Sequence, residues 1–310
     1  MMKAVITEPL NSLRAVPAAP QRPKLPDFMD LPAEFNEKPA PYDMVIHGLI
    51  AGQVGAIVAP GGTGKSIFAL QLAVKVATGF ASFSLPTAKS RVMYFAGEDP
   101  REVFQHRLYD MHLRQDVKRA CGENLKIAVL DDPIFVTNKD VQDIIIDAAA
   151  AAGGGFKFII FDTLRMFHEL DENDAGAMNR VIVCFKRIAR ETGAAVIFIH
   201  HSSKAAAMGG QGDQQQAARG SSVLTDNIRW QSFLVGMTAK EAADRGIDEA
   251  DRKKYVRFGI SKLNFAMPID DIWFERGDGG ILMHAALSGQ PRQKVEPDYG
   301  FGGDNDGCPF

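Results

Sequence analysis

Between residues 45 and 287 short apolar runs alternate with longer segments of helical period. VGAIVA (54–59) carries no charge and reads as a buried strand. KSIFALQLAVKVATG spaces its apolar residues for a helix and stops at Gly79. RVMYFAG (91–97) predicts a strand, PREVFQHRLYDMHL a helix, and LKIAVL and IFV two short strands. VQDIIIDAAAAA predicts a helix ending at Gly153, and FKFIIFD (156–162) a strand. AMNRVIVCFKRIARETG is a helix closed by Gly193, followed by the strand AAVIFIHH (194–201). Beyond it, SSVLTDNIRWQSFLVGMT, YVRFGISKLN and DIWFERGDGGILMHA are β-rich. Such alternation predicts an α/β fold. Its central sheet is mostly parallel and flanked by helices, and C-terminal β-hairpins extend it.

The two ends differ from this core. Residues 1–44 hold Pro9, Pro17, Pro20, Pro23, Pro26, Pro32, Pro39 and Pro41 with little periodicity. They read as a flexible or extended arm, with packing on a neighbouring subunit as the functional alternative. Residues 288–310 are rich in Gly, Pro and Asp and read as a flexible tail. The core is 45–287.

Composition narrows the function only a little. The formal net charge of −3 gives no overall basic footprint. Any nucleic-acid contact therefore has to come from a local loop. Cys121, Cys184 and Cys308 are far apart, which suits neither a disulfide framework nor a zinc site. No apolar run reaches the length of a membrane span, and the expected location is cytoplasmic.

The chemistry begins at APGGTGKS (59–66). Gly61, Gly62 and Gly64 let successive backbone N–H groups turn toward an anion, and the following helix adds its N-terminal dipole. Pro60, Thr63 and Ile67 complete the nucleotide-binding stretch. Lys65 can reach the β- and γ-phosphates, and the Ser66 hydroxyl can ligate Mg²⁺. The usual first glycine of this loop is Ala59. That position falls at the strand end, where φ is negative and alanine is tolerated.

FIIFD (158–162) ends an apolar strand in Asp162, a carboxylate placed to hold Mg²⁺ beside the loop. Thr163 follows it, not Glu, so a catalytic carboxylate has to come from elsewhere. Glu98 in YFAGEDP is the candidate. Asp99 is a second metal-side acid, although it also suits a helix N-cap ahead of Pro100. VIFIHHSSK ends a further strand in His200 and His201, where a polar side chain can sense a γ-phosphate. The segment 204–222 is long, small and polar, and Lys204 is its best phosphate contact. Arg219 and Arg229 are cations that could act across a subunit boundary, and Lys262 could do likewise.

Several stretches together resemble one family: PGG-GKS, GEDP, FDTLRMFH, HHSSKAAAMG, GDQQQAARGSSVLTDNIRWQS and VRFGISKLN. They are similar to the RepA-type hexameric replicative helicases of IncQ plasmids, RecA-fold motors of the DnaB superfamily. The resemblance runs from about residue 48 to 284. It implies a RecA-like P-loop NTPase core using ATP and Mg²⁺, a homo-hexameric ring on single-stranded DNA, and 5′→3′ translocation. It implies Lys65 and Ser66 at the phosphates and metal, Glu98 as the catalytic carboxylate and Asp162 as the metal-side acid. It further implies His201 as the γ-phosphate sensor, and Arg229, with Arg219 second, as the finger acting in trans. A replication initiator and a primase are candidate partners. The alternative is a RecA-like ATPase that binds DNA or a protein partner without unwinding. A small-molecule kinase is the rival of another class.

Overall fold

The computed structural model describes residues 28–151, 155–201, 224 and 226–287. The chain divides into two compact units at Pro41–Tyr42. In the first, among the described residues, Leu31–Asn36 form a short helix, α1. A flexible or extended arm, without a helix, was expected here.

The second unit is built on a nine-stranded sheet. It is preceded by a small antiparallel hairpin of β1 (Met44–Ile46) and β2 (Leu49–Ile50). The strands of the sheet are β3 (Val54–Ala59), β4 (Val92–Ala96), β5 (Leu125–Val129), β6 (Phe158–Asp162) and β7 (Ala195–His201). They continue with β8 (Trp230–Gly236), β9 (Tyr255–Leu263), β10 (Ile272–Arg276) and β11 (Leu282–His284). The spatial order is β11-β10-β9-β8-β3-β7-β6-β4-β5. Strands β8, β3, β7, β6, β4 and β5 run parallel, and β9, β10 and β11 add on antiparallel.

Each parallel strand from β3 to β7 except the edge strand β5 is buried nearly throughout. This is why each reads as an unbroken apolar run: helices cover both faces of a parallel sheet. On one face lies α2 (Lys65–Thr78), which is buried on almost every side. Its Phe68 stacks on Phe258 at a centroid distance of 4.8 Å and meets Phe274 edge-on at 5.7 Å. The antiparallel extension is thus packed on the same helix that follows the glycine-rich loop. Helices α3 (Arg101–Asp110) and α4 (Gln115–Asn124) follow β4. On the other face α5 (Lys139–Ala150) and α6 (Ala175–Thr192) cover Ile159, Phe161, Val196 and Phe198. Asn138 and Asp174 cap these two helices by accepting the N–H of Asp140 and Gly176.

Three differences from the sequence reading have physical causes. IFV (134–136) is not a strand: β5 is the sheet edge, and the Val136 N–H donates to the carbonyl of Phe167 instead of to a strand. Helix α4 was not expected from the sequence: Val117, Ala120 and Cys121 give it only a short apolar stripe, of which Val117 alone is fully buried. The short helix α7 (Ala239–Ala243) lies inside a stretch expected to be β-rich, and a Thr238–Glu241 capping box starts it. The Gly153 stop lies outside the described residues.

Candidate functional site

The loop between β3 and α2 has the conformation that the glycines permit. Gly62 and Gly64 adopt φ of +76° and +91°, the left-handed region. Ala59 is the last residue of β3, paired in register with His201 of β7. It sits in the strand and not in the turn, so its methyl group costs nothing. Thr63 Oγ1 donates to the Pro60 carbonyl at 2.8 Å and closes the loop on itself. Ile67 faces the core, leaving only its backbone to the loop.

Lys65 is buried and its Nζ donates to the Pro60 carbonyl at 3.1 Å and to His201 Nδ1 at 3.0 Å. Burial holds its pKa below the ordinary lysine value, opposed by the nearby charges of Asp162 and Glu98. An ammonium can only donate, so His201 Nδ1 is the acceptor and its Nε2 faces Glu98 Oε1 at 3.6 Å. His201 therefore bridges Lys65 and Glu98.

Asp162 ends β6 at 3% exposure. Its Oδ1 accepts from Ser66 Oγ at 3.2 Å and its Oδ2 from Tyr94 Oη at 2.5 Å. Burial pushes the Asp162 carboxyl up to about 6, against the pull of the Tyr94 and Ser66 hydrogen bonds. A hydroxyl beside a buried carboxylate is the oxygen pair a Mg²⁺ ion takes, with the remaining positions left to water and phosphate. Ser66 and Asp162 thus fit the metal. Among the described residues no three His, Cys, Asp or Glu side chains converge on a further metal site.

Glu98 lies just past the end of β4. Its Oε1 accepts from Thr163 Oγ1 at 2.5 Å, so the residue that follows Asp162 fixes the Glu98 carboxylate. Gly97 makes the approach possible. Its N–H donates to the Asp162 carbonyl at 2.6 Å, and a Cβ there would lie 2.5 Å from Met166 Cβ. Asp99 is not an N-cap: Pro100 holds that position, and Asp99 pairs with Arg107 at 2.7 Å. It still adds to the charge that raises Asp162. A cleft of about 1060 Å³ opens beside Glu98, between α3 and the end of β5.

The other predicted residues are elsewhere. Arg229 is exposed and precedes β8, its N–H donating to the carbonyl of Val54 at the start of β3. Lys262 on β9 pairs with Gln231 at the same end, and its Nζ donates to the Asp226 carbonyl at 3.2 Å. Both therefore stand at the end of the sheet opposite the glycine loop. Lys204 and Arg219 lie outside the described residues. The sequence reading missed Tyr94, Thr163, Gln71 and Arg276. Tyr94 left a signal, as the sole hydroxyl in the apolar strand VMYFA.

Residues 19–207 match a family model described as an AAA domain. Two solved structures share the fold. The first, described as an ATPase domain, aligns at 16% identity and a TM-score of 0.53, over 75% of this chain and 84% of that one. The second, a DnaB-like replicative helicase solved in a study of its interactions with primase, aligns at 16% identity and a TM-score of 0.52. That match covers 75% of this chain and 57% of the helicase, so the chain spans little more than half of it. These likenesses show a RecA-like ATPase-domain fold. Matched over more than half of its length, the chain belongs to the AAA domain family.

Proposed function

We propose that the protein is an ATP-dependent DNA helicase, a ring-shaped replicative motor of plasmid or mobile-element type that translocates on single-stranded DNA. One observation carries this reading: the charged residues divide between the two ends of one sheet. Lys65, Ser66, Glu98, Asp162 and His201 gather where β3, β4, β6 and β7 end. Arg229 stands where β3 begins. The length of β3 separates them by roughly 17 Å at about 3.3 Å per residue. Phosphoryl transfer needs positive charge around the γ-phosphate. Arg229 can supply it only to the site of another copy, which is how a closed ring completes its sites.

In this mechanism ATP lies with its phosphates on residues 60–66, and Mg²⁺ held by Ser66 and Asp162 neutralises phosphate charge when bound. Glu98, fixed by Thr163, orients the attacking water. His201 touches both Lys65 and Glu98, so departure of the γ-phosphate alters its contacts at the point where the chain enters 202–218. That segment, with Lys204, is the proposed DNA contact. The ring is a homo-hexamer, and a replication initiator and a primase are its candidate partners. Of the N-terminal arm, 1–44, the part within the described residues would pack on a neighbouring subunit, and residues 1–27 lie outside them. In its helix α1 the exposed Leu31 and Phe35 share one face at i,i+4 spacing. The IncQ-type assignment rests on the sequence motifs.

Unwinding of a forked duplex with ATP and Mg²⁺ tests the reading, with Glu98→Gln as the inactive control. Strand separation by the wild-type protein alone is expected. ATP hydrolysis stimulated by single strands without unwinding would overturn the helicase and leave an ATPase that acts on DNA or a partner protein.

A further inference from the structure

The glycine-rich loop is held from behind. Arg276, the last residue of β10, donates from Nη2 to the carbonyls of Gly62 at 3.1 Å and Thr63 at 2.8 Å. Its Nη1 lies 3.1 Å from the place a Cβ on Gly64 would occupy. The guanidinium is half-buried, and among the described residues no carboxylate bears on it. Its charge is therefore directed into two loop carbonyls.

The strand that carries Arg276 is itself anchored to the helix after the loop. Arg276 pairs in register with Leu282 of β11. Gln71 of α2 donates to the Leu282 carbonyl at 2.9 Å and accepts the Leu282 N–H at 3.0 Å. Both partners are buried. The β10–β11 hairpin thus grips the loop at one point and α2, two turns further on, at another.

The chemistry follows from the peptide unit. In a trans peptide the C=O and the N–H point opposite ways. The Gly62 carbonyl shares its peptide with the Thr63 N–H, and the Thr63 carbonyl with the Gly64 N–H. A charged donor on a carbonyl polarises the peptide and strengthens the N–H on its far side. The same bonds fix the loop before a ligand arrives, which removes an ordering cost from binding.

We propose that Arg276 is a positioning residue for phosphate binding: it clamps the Gly62 and Thr63 carbonyls and so directs the Thr63 and Gly64 N–H groups at the β-phosphate of a nucleoside diphosphate or triphosphate. The C-terminal hairpin is then part of the nucleotide site of its own subunit. This rests on the reading of residues 60–66 as a phosphate loop.

The test compares ADP with AMP, which lacks the β-phosphate. Affinities of the full-length protein for both are measured by calorimetry for the wild type, Arg276→Met and Arg276→Lys, alongside the thermal midpoint of each. The ratio of AMP to ADP dissociation constants should fall about tenfold in Arg276→Met, the size of a lost charged hydrogen bond. In Arg276→Lys, which keeps the charge but not the fork, it should fall about threefold. A merely structural role lowers the thermal midpoint and leaves that ratio at the wild-type value, which overturns the proposal. If Arg276→Met does not fold, an unchanged ratio in Arg276→Lys overturns it equally. Failure of the wild-type protein to prefer ADP at all overturns the phosphate-loop reading itself.

Discussion

Asp162 is where the sequence pattern and the solvent-free interior meet most sharply. A carboxylate at 3% exposure is costly to ionise, and its value near 6 reflects that cost. A raised folded-state value favours folding below the ordinary 3.8, where the carboxyl is neutral in both states, and that contribution disappears as the pH rises through about 6. Above it the folded protein carries a charge that it holds poorly. Asp162→Asn cannot ionise. Between about pH 4.5 and about pH 7.5, its stability relative to wild type should therefore rise by about 2 kcal/mol without nucleotide or metal. Urea titrations at the two pH values measure this, and a difference that does not change with pH contradicts it. Glu98 and Thr163 make a second pair. Glu98→Gln should lower ATP turnover by about 10²-fold or more with ATP binding retained. Thr163→Val, which frees the carboxylate without removing it, should lower turnover by roughly tenfold. Steady-state hydrolysis beside nucleotide affinity checks both. At this scale Lys65, Ser66, Asp162 and Glu98 were legible because each falls at the end of an apolar strand or the start of a helix. Thr163, Gln71 and Arg276 were not, because their roles are hydrogen bonds to partners 65, 211 and 213 or more residues away.

The elements explain why those ends coincide. β3, β4, β6 and β7 run parallel, so their C-terminal ends share one edge, and the register pairs Ala59 with His201 and Ala96 with Asp162. Periodicity revealed these strands because burial on both faces leaves no room for polar residues in them. It failed for IFV, which is apolar for packing alone, and for α4, whose apolar stripe is only Val117, Ala120 and Cys121. Gly97 is a link between elements whose absence of a side chain matters. Gly97→Ala would press Met166, behind Thr163, out of place. It should lower turnover more than it lowers thermal stability, and the two are read on one preparation. The Gln71 bridge is an opposite case. Gln71→Met leaves the N–H and C=O of Leu282 unpaired in the interior, and should cost roughly 2–4 kcal/mol of stability in urea unfolding.

At the scale of the whole molecule, the proposed reading has one chain hold most of a nucleotide site, with Arg229 at the far end of the sheet from it. The net charge of −3 fits a motor in which a few lysines are multiplied by the number of subunits. That arrangement was partly legible. Alternating strands and helices implied a parallel sheet, in which strand C-terminal ends share an edge. The C-terminal β-hairpins that extend the sheet were expected as well, but that β10 reaches the loop, and with it the Arg276 contact, needed the fold itself. The most direct test is complementation between two inactive proteins. Lys65→Ala removes the phosphate contact and keeps Arg229, whereas Arg229→Ala keeps the site and removes the cation. If sites are completed across a subunit boundary, each variant is inactive alone and mixing them restores ATP hydrolysis, because an Arg229→Ala site can receive Arg229 from a Lys65→Ala neighbour. No hydrolysis in mixtures shown by light scattering to have co-assembled would contradict a shared site and the ring motor built on it.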